Sequence, residues 1–428
     1  MELMNVKGTF DYLPKDMIIR NKITSTLRRN FEKYGYMPLE TSMLNYFDLL
    51  SYKYTDDAEI LNEVYRLKDQ GDRDLGLRYD LTVPFCKVIG INKGLALPFR
   101  RYEIGKVFRN GPVKLGRTRE FYQCDVDVVG IDGRYIEAEQ ILMGIETYKE
   151  LGIDVYVKYN NRKLMSGLIK LSGIDDSKRD SVIGIIDKLE KVSKEELIKM
   201  LKDISISDES INKLLDLFTK DIESFETLKQ ENDLIFEGLE EIKENINYFK
   251  ELNIIDNCIF TPTLARGLSI YTGIVFEFYD KKQRLTCAIG AGGRYDKIIT
   301  GFMNNGNVYP AIGFSFGLEP IYTILKEEET NVSLIDVYMV PLDTEIETLK
   351  LATEIRNLGL NVLIEMNKKK INKCFEHAER ENMRHVMIIG NNEIDSQNFK
   401  IKDMQKKEEY TFTKEELINY LKQKSSRI

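Results

Sequence analysis

The chain predicts an α+β protein, in which an antiparallel-sheet domain is interrupted by a helical insertion and followed by a small α/β domain. Three observations predict it. Short β-rich segments punctuated by glycine occupy 75–130 and return after Cys258. Between them, residues 161–254 are rich in Lys, Glu, Ile, Leu and Asp, with apolar residues at helical spacing and little strand signal. From Val332 onward, strand and helix patterns alternate, as crossover connections in a partly parallel sheet require. A length of 428 residues also exceeds what one hydrophobic core usually serves. The expected domains are 1–160 with 255–325, the insertion 161–254, and 332–428. A continuous domain boundary in place of the insertion is the alternative.

The elements follow in order. Pro14 suits a first helical turn, and Ile19, Ile23, Leu27 and Phe31 recur at four-residue spacing before Gly35 ends the helix. An extended segment is expected at 37–44. LGLRYDLTVP, RRYEIGKVFR and EFYQCDVDVVG all read as strands, with Gly105, Gly111 and Gly116 in or between them. A helix at 136–151 and the strand VYVKYN close the first half. After the helical stretch, TLARGLSIYTGIVFEFYD, AIGAGGRYD and PAIGFSFGLEPI resume the strand pattern. The last domain reads as strand VSLIDVYMVPL, helix 345–358, strand GLNVLIEM, helix 375–381 and strand RHVMIIG.

Charge and cysteine content exclude several classes. The net charge of -7 resides in 187–250, because the remaining residues balance. No polybasic tail exists, so bulk electrostatics does not suggest non-specific nucleic-acid binding. Cys86, Cys124, Cys258, Cys287 and Cys374 are dispersed and never form a CxxC pair, which fits a reducing compartment and no cysteine-rich metal site. The opening MELMNVKGTFDYLP lacks the layout of a signal peptide. The uncharged stretch 298–318 is broken by glycines, asparagines and Pro310, so no membrane span is expected. The reading is a cytoplasmic protein without a membrane partner. No GxxxxGK[ST] motif supports a P-loop, and Gly290, Gly292 and Gly293 lack dinucleotide spacing. His377 and His385 are the only histidines, so a Ser-His-Asp triad and a histidine metal cage are both disfavoured.

What remains is a polar centre. In the strand 121–130, Tyr122, Cys124, Val126 and Val128 face one way, and Gln123, Asp125 and Asp127 face the other. Three polar residues on one strand face need solvent, as on an edge strand, or a ligand. Arg109, Arg117 and Arg119 flank the glycine-containing loop before this strand, and Arg266 is expected in a second glycine-punctuated strand. Taken singly, such arginines are commonly surface residues. Together with nearby carboxylates they suit a ligand with anionic and cationic ends, such as an amino acid with a phosphate ester.

These residues sit in a longer pattern. VKGTFDYLP, LRYDLTVPF at 77–85, YEIGKVFR at 102–109, GRTREFYQCDVDVVG at 116–130, LARGLSIYTG at 264–273, AGGRYD at 291–296 and GFSFGLE at 313–319 follow one another across the chain. In that order they resemble the histidine–tRNA ligases, a family of class II aminoacyl-tRNA synthetases. HVMIIGNNEI lies in a last domain that resembles their anticodon-binding module.

The resemblance implies ligation of L-histidine to tRNA(His) through an adenylate, with ATP and Mg²⁺ as substrate and counterion and with no tightly bound cofactor or metal site. It implies a homodimer. By motif, Asp80 and Thr82, with Gln123, would hold the histidine α-amino group and Asp127 and Tyr271 the imidazole, with Leu81 and Ile270 also in the histidine site. Arg109 and Arg266 would be the catalytic pair at the carboxylate and α-phosphate. Lys114, Arg117, Arg119 and Arg294 would meet ATP or the tRNA acceptor end. Attack of a carboxylate on the α-phosphorus joins two anions, so arginines and Mg²⁺ are the chemistry required.

Departures from the family pattern accompany it. Pro320 stands where the third motif places an arginine, Ser269 and Ile270 replace an acidic residue and a tyrosine, and NGPVKL at 110–115 lacks the Glu-Arg-Pro-Gln series. Two other classes therefore stay open: a regulatory subunit resembling that of ATP phosphoribosyltransferase, and a histidine sensor or RNA-binding regulator. Histidine-dependent pyrophosphate exchange separates both from a ligase.

Overall fold

Alternation of polar and apolar side chains draws 99–108 and 120–129 into neighbouring strands, and the rest of the sheet is built outward from that pair. The computed structural model describes residues 3–52, 59–113, 118–189, 192–266, 270–328 and 332–424. Two compact units divide the chain, one of 1–11 with 22–324 and one of 12–21 with 325–428. The first unit carries, in chain order, β1 (Met37–Pro38), β2 (Leu44–Tyr46), β3 (Arg66–Lys68), β4 (Asp74–Leu77), β5 (Phe99–Phe108) and β6 (Glu120–Val129). It continues with β7 (Val155–Asn161), β8 (Cys258–Phe260), β9 (Ile274–Asp280), β10 (Gly290–Arg294) and β11 (Ala311–Gly317). Among the described residues an eight-stranded sheet has the order β1-β5-β6-β11-β10-β9-β7-β8, and β2-β4-β3 form a small separate sheet. The large sheet is antiparallel except where β1 joins β5 and β7 joins β8.

Register puts the strand faces to different uses. Cys124, Val126 and Val128 are buried on β6, and Phe314 and Phe316 of β11 pair opposite Val126 and Cys124. Phe278 stacks on Phe314 at 4.7 Å, while Tyr148 of the helix Tyr135–Glu150 packs on Phe278 and Phe316. That face is an aromatic core. On the opposite parity of β6, Asp125 faces Glu103 of β5 and Ser315 of β11, and Asp127 faces Arg101 and Gly313. A side chain at 313 would not fit, because a Cβ there would overlap the Asp127 carboxylate.

Some expected strands changed identity. LGLRYDLTVP is strand only over β4, and a helix runs from Thr82 to Ile91. The Asp80 carboxylate accepts from the Val83 amide at 3.0 Å, satisfying one of the helix's first free donors. Pro84, in the same first turn, has no amide that would need an intrahelical partner. PAIGFSFGLEPI likewise splits into β11 and the helix Leu318–Glu328, with Pro320 in its first turn.

Residues between Arg162 and Glu251 form helices Arg162–Leu171, Arg179–Ile186, Lys194–Asp203, Asp208–Leu217, Ile222–Glu226 and Asp233–Glu251. They pack into the same unit as the sheet. Asn161 and Asn232 cap the first and last of these, accepting from Lys163 at 2.8 Å and Ile235 at 3.0 Å.

The second unit has β12 (Val337–Pro341), β13 (Val362–Ile364), β14 (His385–Ile389), β15 (Asn398–Asp403) and β16 (Glu408–Thr413) in the order β13-β12-β14-β15-β16. β12 is parallel to β13 and β14, whereas β15 and β16 add antiparallel. Its core joins Val337, Met339, Ile355, Met387, Ile401 and Leu417. Those last two strands and the helix Lys414–Lys424 extend the expected strand-helix series.

Candidate active site

The polar face of β6 looks into a cavity of about 190 Å³ lined by Asp80, Thr82, Arg109, Gln123, Asp125, Asp127, Arg266, Ile270, Tyr271, Tyr295, Gly313 and Ser315, among others. Several elements converge to supply these side chains. The turn before helix Thr82–Ile91 brings Asp80 and Thr82, and the residue after β5 brings Arg109. Strand β6 brings three polar residues at period two, and Tyr295 directly follows β10.

Asp127 is buried and held at both oxygens. Its Oδ2 lies 2.6 Å from Arg101 Nη2, and its Oδ1 accepts from the Tyr295 hydroxyl. Burial raises the pull of its carboxyl on a proton, while Arg101 and then the Tyr295 hydrogen bond oppose that rise; the net shift is upward. Asp125 is pushed up to about 7, by burial first, against Arg101 and with Asp127 adding to the rise. Its Oδ1 is buried with no hydrogen-bond partner, as is Gln123 Oε1. Buried acceptors aimed into a cavity are what a donor-bearing ligand would satisfy.

The arginines complement this acidic wall. Arg109 donates from Nε to the Tyr79 carbonyl at 3.0 Å and lies 5.1 Å from the Phe121 ring centroid. Arg266 has a left-handed backbone (φ 45°), with its guanidinium 5.3 Å from the Tyr271 ring centroid and 3.7 Å from the Glu277 carboxylate. Its Nε is buried without a hydrogen-bond partner. Arg162 donates to the carbonyls of Ala265 at 3.1 Å and Arg266 at 3.4 Å, holding the backbone there. Such an arrangement can take the ammonium and N–H groups of a ligand on its carboxylates, and anionic oxygens on its guanidinium groups.

Of the residues expected from sequence, Asp80, Thr82, Arg109, Gln123, Asp127, Arg266, Ile270 and Tyr271 come together here. Leu81 does not line the cavity; it is buried, and its carbonyl accepts from Arg101 Nη2 at 3.2 Å. Arg119 is also elsewhere, with its backbone amide on the Gly8 carbonyl at 2.7 Å. Arg294 requires correction as a phosphate ligand. It is 1% exposed, and its guanidinium binds Glu137 at 2.6 Å and the carbonyls of Ile131 and Gly133. A buried arginine already neutralised by a buried glutamate is not free to hold a triphosphate. Lys114 and Arg117 lie outside the described residues. Among the described residues no group of three His, Cys, Asp or Glu side chains is placed to hold a metal ion, and no helix is long and apolar enough to cross a membrane.

Sequence reasoning missed Arg101, Tyr295 and the role of Asp125. Tyr295 was visible in AGGRYD, and Asp125 in the alternation of β6. Arg101 gave no local signal.

Comparison with known proteins agrees with this geometry. A family model described as histidyl-tRNA synthetase matches residues 8–321, and one described as an anticodon binding domain matches 336–424. Over 426 residues the chain is 43% identical to histidine–tRNA ligase 1 of Bacillus thuringiensis subsp. konkukian (strain 97-27), covering 98% of this chain and 100% of the relative. It is 33% identical to the histidine–tRNA ligase of Clostridium tetani (strain Massachusetts / E88), with 97% of each covered. The crystal structure of histidyl-tRNA synthetase from Nostoc sp. PCC 7120 superposes with a TM-score of 0.86 at 27% identity, covering 99% of this chain and 100% of that one. A protein from Bacillus halodurans C described as an ATP phosphoribosyltransferase regulatory subunit/histidyl-tRNA synthetase shares the fold at TM-score 0.76 and 20% identity, over 91% of this chain and 99% of that one.

Proposed function

The chain belongs to the histidyl-tRNA synthetase family and is an ATP-dependent class II enzyme that ligates histidine to tRNA(His) through an adenylate, and from that premise we propose the roles of its residues. The observation that carries the assignment is convergence: eight residues from four separate motifs line one cavity with carboxylates and guanidinium groups together.

Asp80, Thr82 and Gln123 receive the histidine ammonium, whose donors match their oxygens. Asp127 accepts an imidazole N–H, and Tyr271 meets the other side of the ring. An apolar side chain isosteric with imidazole would leave Asp127 buried and unpaired, which is the physical basis of rejection. Arg109 and Arg266 bring the histidine carboxylate and the α-phosphate together and stabilise the charge that builds as phosphorus becomes five-coordinate. Mg²⁺ enters as the counterion of ATP. Lys114 and Arg117 replace the triphosphate contact that Pro320 removes.

The anticodon-type unit binds tRNA(His), and two copies of the chain associate, in the cytoplasm, through the region around β1 and β2. Met37, Met43, Leu44 and Tyr46 expose apolar surface there, the residue type that contact sites gather. The domain reading of 1–160 with 255–325, 161–254, and 332–428 belongs to this proposal.

Histidine-dependent pyrophosphate exchange tests the roles. Asp127→Ala should destroy the preference for histidine over other amino acids. If that variant still selects histidine strongly, imidazole recognition lies elsewhere. A monomeric mass at micromolar concentration would remove the dimer.

A further inference from the structure

Arg101 is fully buried in the middle of the sheet, 0% exposed, and does not line the cavity. It stands directly opposite Asp127 in the β5–β6 register. Its Nη2 reaches two places, the Asp127 Oδ2 at 2.6 Å and the Leu81 carbonyl at 3.2 Å. Phe85 packs under the guanidinium, 4.5 Å from ring centroid to carbon. The arginine therefore ties the carboxylate that faces the imidazole to the turn that presents Asp80 and Thr82.

We propose that Arg101 is the positioning residue of the amino-acid site, holding Asp127 as an oriented carboxylate and fixing its distance from the Asp80–Thr82 turn. The inference rests on the imidazole role given above to Asp127. Two arguments carry it. The first is geometric. Each carboxylate oxygen offers two lone-pair directions. The Tyr295 hydroxyl donates to Oδ1 and the Arg101 guanidinium stands at ion-pair distance from Oδ2, so the carboxylate is fixed from two sides, while Oδ2, which accepts no hydrogen bond from the protein, stays available to a ligand N–H.

The second argument is charge. The groups facing Asp127 are Glu103 with Arg101 from β5, Asp125 from β6, Asp80 from the turn before helix Thr82–Ile91, and Tyr295 after β10. Arg109, Arg266 and Tyr271 line the same cavity, the buried Tyr36 hydroxyl feels the Asp127 charge, and Cys86 lies near Tyr295. Arg78 is committed to Glu103 at 2.7 Å. Arg101 is thus the cation in direct contact with Asp127. Two neighbouring buried carboxylates without it would retain a proton, and a protonated Asp127 would present a hydroxyl where an acceptor is needed.

The test is the histidine KM of the full-length enzyme in pyrophosphate exchange, for wild type, Arg101→Met, Arg101→Lys and Asp127→Asn, from about pH 6 to about pH 8.5. In Arg101→Met the Asp127 carboxyl rises further, so the carboxylate is scarce at the acid end and returns as pH rises. Expected is a KM raised roughly 10- to 100-fold near pH 6, with the ratio to wild type falling several-fold toward pH 8.5 and kcat within about 3-fold. The substrate's own imidazole titrates equally in both enzymes and cancels in that ratio. Arg101→Lys keeps a charge but lacks the fork, so its KM should rise about 10-fold without the pH slope. If Arg101→Met does not fold, the lysine variant decides, and an unchanged KM in it overturns the proposal. A KM ratio for Arg101→Met that is flat with pH, or near one throughout, also overturns it. Should Asp127→Asn leave histidine KM unchanged, the imidazole reading itself fails and the inference with it; a sensitive Asp127→Asn beside an insensitive Arg101→Met sinks the inference alone.

Discussion

Arg109 and Arg266 differ from the buried arginines Arg78 and Arg294 in what they already hold. Arg78 and Arg294 are committed to the buried carboxylates Glu103 and Glu137, whereas Arg109 and Arg266 line the cavity. Replacing either with Ala should lower kcat for adenylate formation roughly 10²-fold, the scale of one lost charge-stabilising donor. Near-normal histidine activation in both variants would show the phosphate sits elsewhere. Arg294→Met should instead act on stability, because it removes the nearer of the two guanidinium groups paired with buried Glu137 and leaves Arg134 at 2.9 Å; the loss is about 1.5–3 kcal/mol in denaturant unfolding. Asp125 makes a pH prediction. Its folded carboxyl is raised to about 7, so between its unfolded value, ~3.9, and that pH the folded state holds a proton the unfolded state has released. Stability from this group therefore declines as pH rises through the window and levels above it. Asp125→Asn should remove the decline, so that thermal midpoints of variant and wild type diverge from about pH 4 to about pH 7. Parallel curves would refute the assignment. At this scale the sequence was a fair guide wherever a role depends on strand parity, as for Gln123 and Asp127. It was blind to Arg101, whose meaning comes from a partner strand.

Helix Arg162–Leu171 approaches helix Asp233–Glu251 closely enough that a Cβ at Gly238 would stand 2.8 Å from Leu164 Cα. Alanine would gain about 1 kcal/mol of helix propensity but meets backbone, which cannot swing aside, at a typical cost of about 1–3 kcal/mol. The clash should win. Gly238→Ala is expected to lower stability by about 1 kcal/mol, read from urea unfolding, and a stabilised variant would mean that the helices can separate without loss. Helical spacing made these helices legible, since an apolar face recurs whatever it packs against. Strand-to-helix changes were harder. LGLRYDLTVP has β-rich composition throughout, yet the Asp80 side chain starts a helix at Thr82 by taking the Val83 amide. β15 and β16 are charged, and it is the pairing of β15 with β14 and of β16 with β15 that makes them strands.

For the whole molecule the open question is how the acceptor end of tRNA is read. Loop 110–115 carries Pro112, which has no side-chain fork for a base edge, and Pro320 removes a charge from the third motif. The family resemblance makes the Glu-Arg-Pro-Gln series that this loop lacks a contact for an extra 5′ guanosine of the tRNA, so reduced dependence on that guanosine is the expected outcome. Charging of matched transcripts with and without it should differ by less than about 10-fold, under roughly 1.4 kcal/mol; a loss of several hundred-fold would show that neighbouring residues have taken over the contact. Motif order along the chain identified the family and its chemistry, because the residues that touch ligand are constrained by what the ligand is. Apolar period likewise identified the helical stretch and the last α/β unit, since burial imposes it locally. Which arginine serves which carboxylate was decided only in three dimensions. Arg294 lies in a recognisable motif but neutralises Glu137 in the interior, while Arg101, in no informative local pattern, meets Asp127 across the sheet. Electrostatic energy depends on distance and burial rather than on position in the chain, so the pairing of charges was tertiary information.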